Sequence, residues 1–196
     1  MYEFSKRAFD IISSLIGIVL LSPILIIIAL IILMTDGKPI IFKQIRIGKG
    51  GKPFTIYKFR TMRRGKGLSI TKKDDPRITP IGRFLRKYKL DELPQLWNVL
   101  KGDMSVVGPR PEVSEYVKYF PKEMEDVLSV RPGLTDLASL VFINEEEVLA
   151  RFPDPHEAYV SCVLPRKLKL NMIYIRNRNM CLDLWIIFKT LEKLIR

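Results

Sequence analysis

The sequence predicts a mostly helical α+β protein: an N-terminal membrane helix followed by one compact domain. Three observations carry this reading. Ile11 to Thr35 holds no charged residue and is dominated by Ile and Leu. Two short segments rich in β-branched and aromatic residues flank a glycine-rich turn. Most of the remainder places apolar residues at helical spacing, with Pro or Gly at the ends of some of these segments. The expected division is 1–37 for the membrane helix and its basic flank, and 38–196 for the domain. A chain of 196 residues suits one domain plus an anchor, at roughly 150 residues per domain.

The apolar run is longer than the roughly 20 residues a span needs, and longer than a signal-peptide core. Its exit at Thr35-Asp36-Gly37-Lys38 also lacks a cleavage pattern. Ser22-Pro23 lies near its midpoint. Proline there removes one helical hydrogen bond and crowds the preceding turn, and the Ser22 hydroxyl is placed to satisfy the freed carbonyl. Lys6 and Arg7 precede the run, while Lys38, Lys43, Arg46 and Lys49 follow it. Basic flanks stay cytoplasmic, so positive charge at both ends favours a re-entrant helix broken at Ser22 and Pro23 over a kinked span. Lys6, Arg7 and Asp10 lie one turn before the run. They read either as a snorkelling flank with a local ion pair or as a clamp on phospholipid head groups.

Ile40–Ile47 and Phe54–Met62, joined by Gly48-Lys49-Gly50-Gly51-Lys52, form a predicted β-hairpin. The loop lacks the spacing of a phosphate-binding loop. Arg63–Asp75 is polar and reads as a loop. Ile81–Lys89 is a short basic amphipathic helix, suited to a membrane interface or to docking on a core. Leu93–Leu100 is a predicted helix with Pro94 in its first turn and Gly102 past its end. Further helices are expected over Glu112–Leu128, Asn144–Arg151, Pro165–Asn177 and Asp183–Ile195.

The net charge is +12 and 47% of residues are hydrophobic. Together they exclude intrinsic disorder. The charge is concentrated: residues 38–101 carry 18 basic side chains against four acidic ones, Asp74, Asp75, Asp91 and Glu92. Cys162 and Cys181 lack metal-ligand spacing and are expected as reduced, buried thiols. His156 is the single histidine, which disfavours histidine triads and zinc sites.

Asp91 and Glu92 are the leading candidates for chemistry. Locally they also fit a helix N-cap and a first-turn acid. Their basic surroundings favour ionised carboxylates and an anionic substrate. Adjacent acids diverge, so one can attack phosphorus while the other, Glu92, holds Mg²⁺. In Gly108-Pro109-Arg110-Pro111 two prolines stiffen the backbone around a guanidinium suited to phosphate. Lys58 and Arg60 alternate with aromatics and would share one strand face.

Lys6-Arg7-x-x-Asp10, Ser22-Pro23, Tyr57-Lys58-Phe59-Arg60-Thr61-Met62 and Leu90-Asp91-Glu92-Leu93-Pro94-Gln95 occur in order. Asn98 to Ser105, Gly108-Pro109-Arg110-Pro111 and Val130-Arg131-Pro132-Gly133-Leu134-Thr135 follow. In combination they closely resemble the monotopic polyprenyl-phosphate phosphoglycosyl transferases, over nearly the whole chain. The resemblance implies transfer of a sugar-1-phosphate from a UDP-sugar to undecaprenyl phosphate at the cytoplasmic face of a bacterial membrane. It implies Asp91 as nucleophile, Glu92 as the Mg²⁺ residue, and Lys58, Arg86, Arg110 and Asp183 as active-site positions. Arg60 and Arg131, within matching motifs, are further phosphate-binding candidates. It also supports the re-entrant helix. One stretch departs from the pattern: many relatives have glycine after the Leu-Thr pair, where this chain has Asp136-Leu137-Ala138-Ser139. The competing class is a basic membrane-anchored nucleic-acid binder or scaffold; no nucleic-acid motif supports it, and no nucleic-acid partner is expected.

Overall fold

In the computed structural model, residues 1–63, 75–142 and 145–195 are described. The polar loop expected over 63–75 and Asn144 of the expected 144–151 helix fall largely or wholly outside them. Helix α1, Tyr2–Thr35, opens the chain with 34 residues, about 50 Å at 1.5 Å per residue. It is long and apolar enough to cross a membrane. The chain stays helical through Pro23, where the sequence predicted a break. The physical reason is local: proline cannot donate to the Val19 carbonyl, and Ser22 Oγ donates to that oxygen instead, at 2.8 Å.

Asp10, Ser14, Ile28 and Ile32 are buried and Gly17, Leu21 and Leu25 half-buried. Spaced by three or four, they form one stripe along α1 that lies against the rest of the protein. Most other apolar positions from Ile11 to Met34 are exposed.

Strands β1 (Ile41–Ile47) and β2 (Pro53–Phe59) pair antiparallel with Ile41 opposite Phe59, as the hairpin pattern predicted. Helix α2 spans Pro80–Lys87, N-capped by Thr79 Oγ1, which accepts from Gly82 N at 3.1 Å. A 3-10 helix, Leu90–Gln95, then leads into α3, Leu96–Lys101, which stops at Gly102 with φ +94°. The sequence predicted one helix over 93–100. Pro94 has no N–H to close an α-turn onto Leu90, so that segment tightens.

Strand β3, Ser105–Val107, pairs parallel with β4, Gly133–Thr135. Three-residue strands carry too little alternation to read from sequence. The crossover between them holds α4 (Ser114–Val117) and α5 (Pro121–Val127). Pro121 starts the second helix, so the single helix expected over 112–128 is two. Helices α6 (Leu137–Val141), α7 (Glu145–Ala150) and α8 (Pro155–Ala158) follow, then a π-turn at Tyr159–Val163, α9 (Leu164–Asn177) and α10 (Met180–Ile195).

The largest core cluster joins Tyr116, Met124, Leu149, Tyr159, Leu164 and Leu168. A second packs Ile28 and Ile32 of α1 on Phe59 and Leu85. It thereby fixes the C-terminal half of α1 beside the hairpin. Both cysteines are exposed free thiols, against the expectation of burial; each lies on a helix face turned from the core.

Candidate active site

Asp91 and Glu92 sit in the 3-10 helix, packed on β2. Asn98 of α3 ties the two together: its Oδ1 accepts from Tyr57 N at 3.2 Å and its Nδ2 donates to Thr55 O at 2.7 Å. Lys89 enters the turn in the left-handed conformation, φ 54°, and reverses the chain so that both acids face inward.

Glu92 is held by two cations from distant parts of the chain. Lys58 Nζ of β2 donates to its Oε1 at 2.9 Å. Arg110 forks across both oxygens, Nη1 to Oε2 at 3.1 Å and Nη2 to Oε1. Such a two-nitrogen fork is the strong, directional form of the ion pair. Burial would raise the Glu92 carboxyl, but Arg110 and Lys58 outweigh it and hold it well below the usual range. Burial pushes the Lys58 ammonium down against the pull of Glu92.

Asp91 behaves oppositely. Burial, then the neighbouring Glu92 charge, raises it, opposed by Lys58, Lys89 and Arg86. Its Oδ1 is buried and, among the described residues, has no hydrogen-bond partner, and the same holds for Gln95 Nε2 four residues on. A carboxylate oxygen kept free in a ring of cations is equipped to attack an electrophile or to ligate a hard cation.

Among the described residues no group of three or more His, Cys, Asp or Glu side chains forms a metal site. The pair present fits an ion that takes one or two carboxylates and completes its shell with substrate phosphates, as Mg²⁺ does. Asp91 Oδ1 already lacks a partner among the described residues, whereas Glu92 would exchange one of its cationic partners for the ion.

Of the phosphate-binding candidates, the structure brings Lys58 and Arg110 onto Glu92 and sets the charge of Arg86 near Asp91. Three others go elsewhere. Arg60 donates to the carbonyls of Asp36, Gly37 and Lys38, closing the exit of α1. Arg131 Nε donates to Gly102 O at 3.1 Å. Asp183 is buried and accepts from Lys6 Nζ at 2.7 Å, Tyr2 OH at 2.9 Å and Tyr174 OH at 2.8 Å. Strand β2 ends at Phe59, so the shared face expected for Lys58 and Arg60 does not extend to Arg60.

Lys6, Arg7 and Asp10 likewise have partners inside the protein. Arg7 donates to Val99 O and Leu100 O at 2.7 and 2.8 Å, and buried Asp10 accepts from Ser105 Oγ and Val106 N, both at 3.0 Å. They dock the start of α1 onto α3 and β3, in place of a free head-group clamp.

Sequence reasoning gave no site role to Lys89, Arg46, Asn98 or Asp136. Lys89 was visible as the cation directly before the acidic pair. Arg46, half-buried on β1, donates to Pro111 O at 3.0 Å beside Arg110, and nothing local marks it.

The chain matches the bacterial sugar transferase family along residues 1–196, and it belongs to that family. It is 36% identical over 203 residues to the UDP-N-acetylgalactosamine-undecaprenyl-phosphate N-acetylgalactosaminephosphotransferase of Aeromonas hydrophila, covering 100% of this chain and 44% of the relative. It is 38% identical over 196 residues to the UDP-glucose:undecaprenyl-phosphate glucose-1-phosphate transferase of Klebsiella pneumoniae, covering 96% and 39%. The exopolysaccharide production protein PSS of Rhizobium leguminosarum bv. phaseoli is 39% identical over 196 residues, with 94% and 92% covered. The chain therefore spans less than half the length of the first two relatives and most of the third.

Proposed function

We propose that this protein transfers a sugar-1-phosphate from a UDP-sugar to undecaprenyl phosphate, giving undecaprenyl-diphospho-sugar and UMP. The observation that carries the reading is the unpartnered, buried Asp91 oxygen beside Glu92, ringed by Lys58, Lys89, Arg86 and Arg110. Asp91 attacks the phosphorus that bears the sugar; the bond from that phosphorus to the UMP oxygen breaks and UMP leaves. An oxygen of undecaprenyl phosphate then attacks the same phosphorus and frees the Asp91 carboxylate. Atoms and charge balance without another reactant. Arg110 and Lys58 bind the phosphate oxygens and offset charge that builds on them in the transition state. Asp91 and Glu92 are the residues that would hold Mg²⁺, which supplies further neutralisation of the diphosphate. Because the two anionic substrates react at one phosphorus in turn, a single cationic site serves both.

The way α1 is docked supports a membrane arrangement. Its N-terminal end docks through Lys6, Arg7 and Asp10, and its C-terminal end through Ile28, Ile32 and the Arg60 contacts, onto the same body. A helix held at both ends by one domain enters and leaves the bilayer on one side. This supports a re-entrant 1–37 segment with the 38–196 domain on the cytoplasmic face of the inner membrane. Leu184, Trp185, Phe188 and Leu191 expose an apolar side of α10 suited to the phospholipid interface.

The test is a screen of UDP-sugars with undecaprenyl phosphate and Mg²⁺, reading UMP release. One donor class is expected to react, and Asp91→Asn to lower the rate by at least a thousandfold. An Asp91→Asn protein as active as wild type would overturn the mechanism.

A further inference from the structure

Within Pro109-Arg110-Pro111 the only backbone N–H is that of Arg110, because proline has none. Asp136 takes it: its Oδ2 accepts from Arg110 N at 3.1 Å, while Oδ1 accepts from Ser139 N at 2.6 Å and caps α6. The Asp136 side chain is 1% exposed, and each of its oxygens serves a different strip of backbone. The adjoining chain is stitched in the same place. Gly108 N donates to Thr135 O at 3.0 Å and Gly133 N to Pro109 O at 2.9 Å. The side chain of the residue so held is the fork that spans Glu92.

We propose that Asp136 is a positioning residue for the phosphate site: it grips the sole main-chain donor of the Pro-Arg-Pro turn and so aims the Arg110 guanidinium. The inference rests on reading that site as the phosphate site. A carboxylate suits the task because a charge-assisted bond is stronger than a neutral one and because it has two acceptor oxygens. Asparagine has one acceptor and would turn its NH₂ toward the other N–H. Serine reaches one donor only.

The test uses the full chain in lipid nanodiscs. Serine keeps the α6 cap, so Asp136→Ser is expected to melt close to wild type. Its kcat/KM is expected to fall roughly tenfold to hundredfold, the range for losing a hydrogen bond to a charged group. If Asp136 acts through Arg110, adding Asp136→Ser to Arg110→Lys causes little further loss. Wild-type turnover in Asp136→Ser, or a loss that adds in full on the Arg110→Lys background, would overturn the proposal. Should Asp136→Ser melt early, the same cycle is run with Asp136→Asn, with the same expectation. A readout free of turnover separates this inference from the proposed reaction. The Arg110 guanidinium protons, held by Glu92, are expected to exchange slowly by NMR in wild type and fast in Asp136→Ser. If wild type uses no UDP-sugar, the proposed reaction fails while faster exchange still supports the positioning role. Unchanged exchange in the variant overturns that role whatever the activity.

Discussion

Asp91 and Glu92 are neighbours in sequence, yet their surroundings drive their ionisation in opposite directions. Glu92 has cations on both oxygens, while Asp91 has one buried oxygen with no partner among the described residues. A carboxylate whose folded pKa is raised adds stability only below its unfolded value, and that contribution is lost as pH rises through the folded value. Asp91 is such a group, so at pH 7 its charge opposes folding. Asp91→Asn should therefore melt above wild type at pH 7 despite losing transfer. The difference should shrink as pH falls toward the ordinary aspartate value of 3.8. Glu92 has the reverse sign: its stabilisation is present above the ordinary glutamate range and lost only as pH drops well below it. On the proposed mechanism, kcat/KM rises with pH through the Asp91 value, placing its acid limb above 3.8. A limb at or below that pH, or an Asp91→Asn protein that melts lower, would contradict this account.

The elements that present these side chains are short and depend on close backbone contact. Just past β3, Gly108 lies against Gly133 at the start of β4. A Cβ on Gly133 would lie 2.1 Å from Gly108 N and 2.2 Å from Gly108 O, and backbone atoms there cannot yield without moving the Pro-Arg-Pro turn. Gly133→Ala is expected to destabilise the protein by about 1–3 kcal/mol, as overpacked sites do, and to lose most transfer because Arg110 is displaced. Gly50→Ala, in a turn where an added Cβ meets nothing within 4 Å, should leave transfer intact at a small cost from its φ of +69°. Calorimetry and UMP release on the two variants check the contrast. Equal effects would show that the glycine contact does not position the turn.

For the whole molecule, the governing contact is between α1 and the rest of the chain. Lys6 with Asp183, Arg7 with the end of α3, and Asp10 with β3 fasten one end. Ile28 and Ile32, packed on Phe59 and Leu85, fasten the other. The arrangement predicts that residues 2 and 38 lie on the same side of the bilayer. Single cysteines at these positions, with Cys162 and Cys181 replaced by serine, should both react with a membrane-impermeant thiol reagent in inside-out vesicles and neither in spheroplasts. Opposite labelling would establish a spanning helix.

The sequence by itself determined the parts governed by local chemistry. An uncharged 11–35 run makes one long apolar helix, alternation around a glycine turn makes the hairpin, and two acids in a basic stretch mark the segment proposed to react. The fine structure of that segment was less legible: Pro94 turns the expected helix start into a 3-10 turn, and β3 and β4 are too short to show a period. Only the tertiary structure decided which cations reach the acids. Lys58 lies 34 residues from Glu92 and Arg110 lies 18, whereas Arg60, two residues from Lys58, faces the exit of α1. Side-chain type and spacing are local properties. Which distant side chains meet is set by how buried strands, turns and glycines pack, and a one-dimensional pattern does not carry that information.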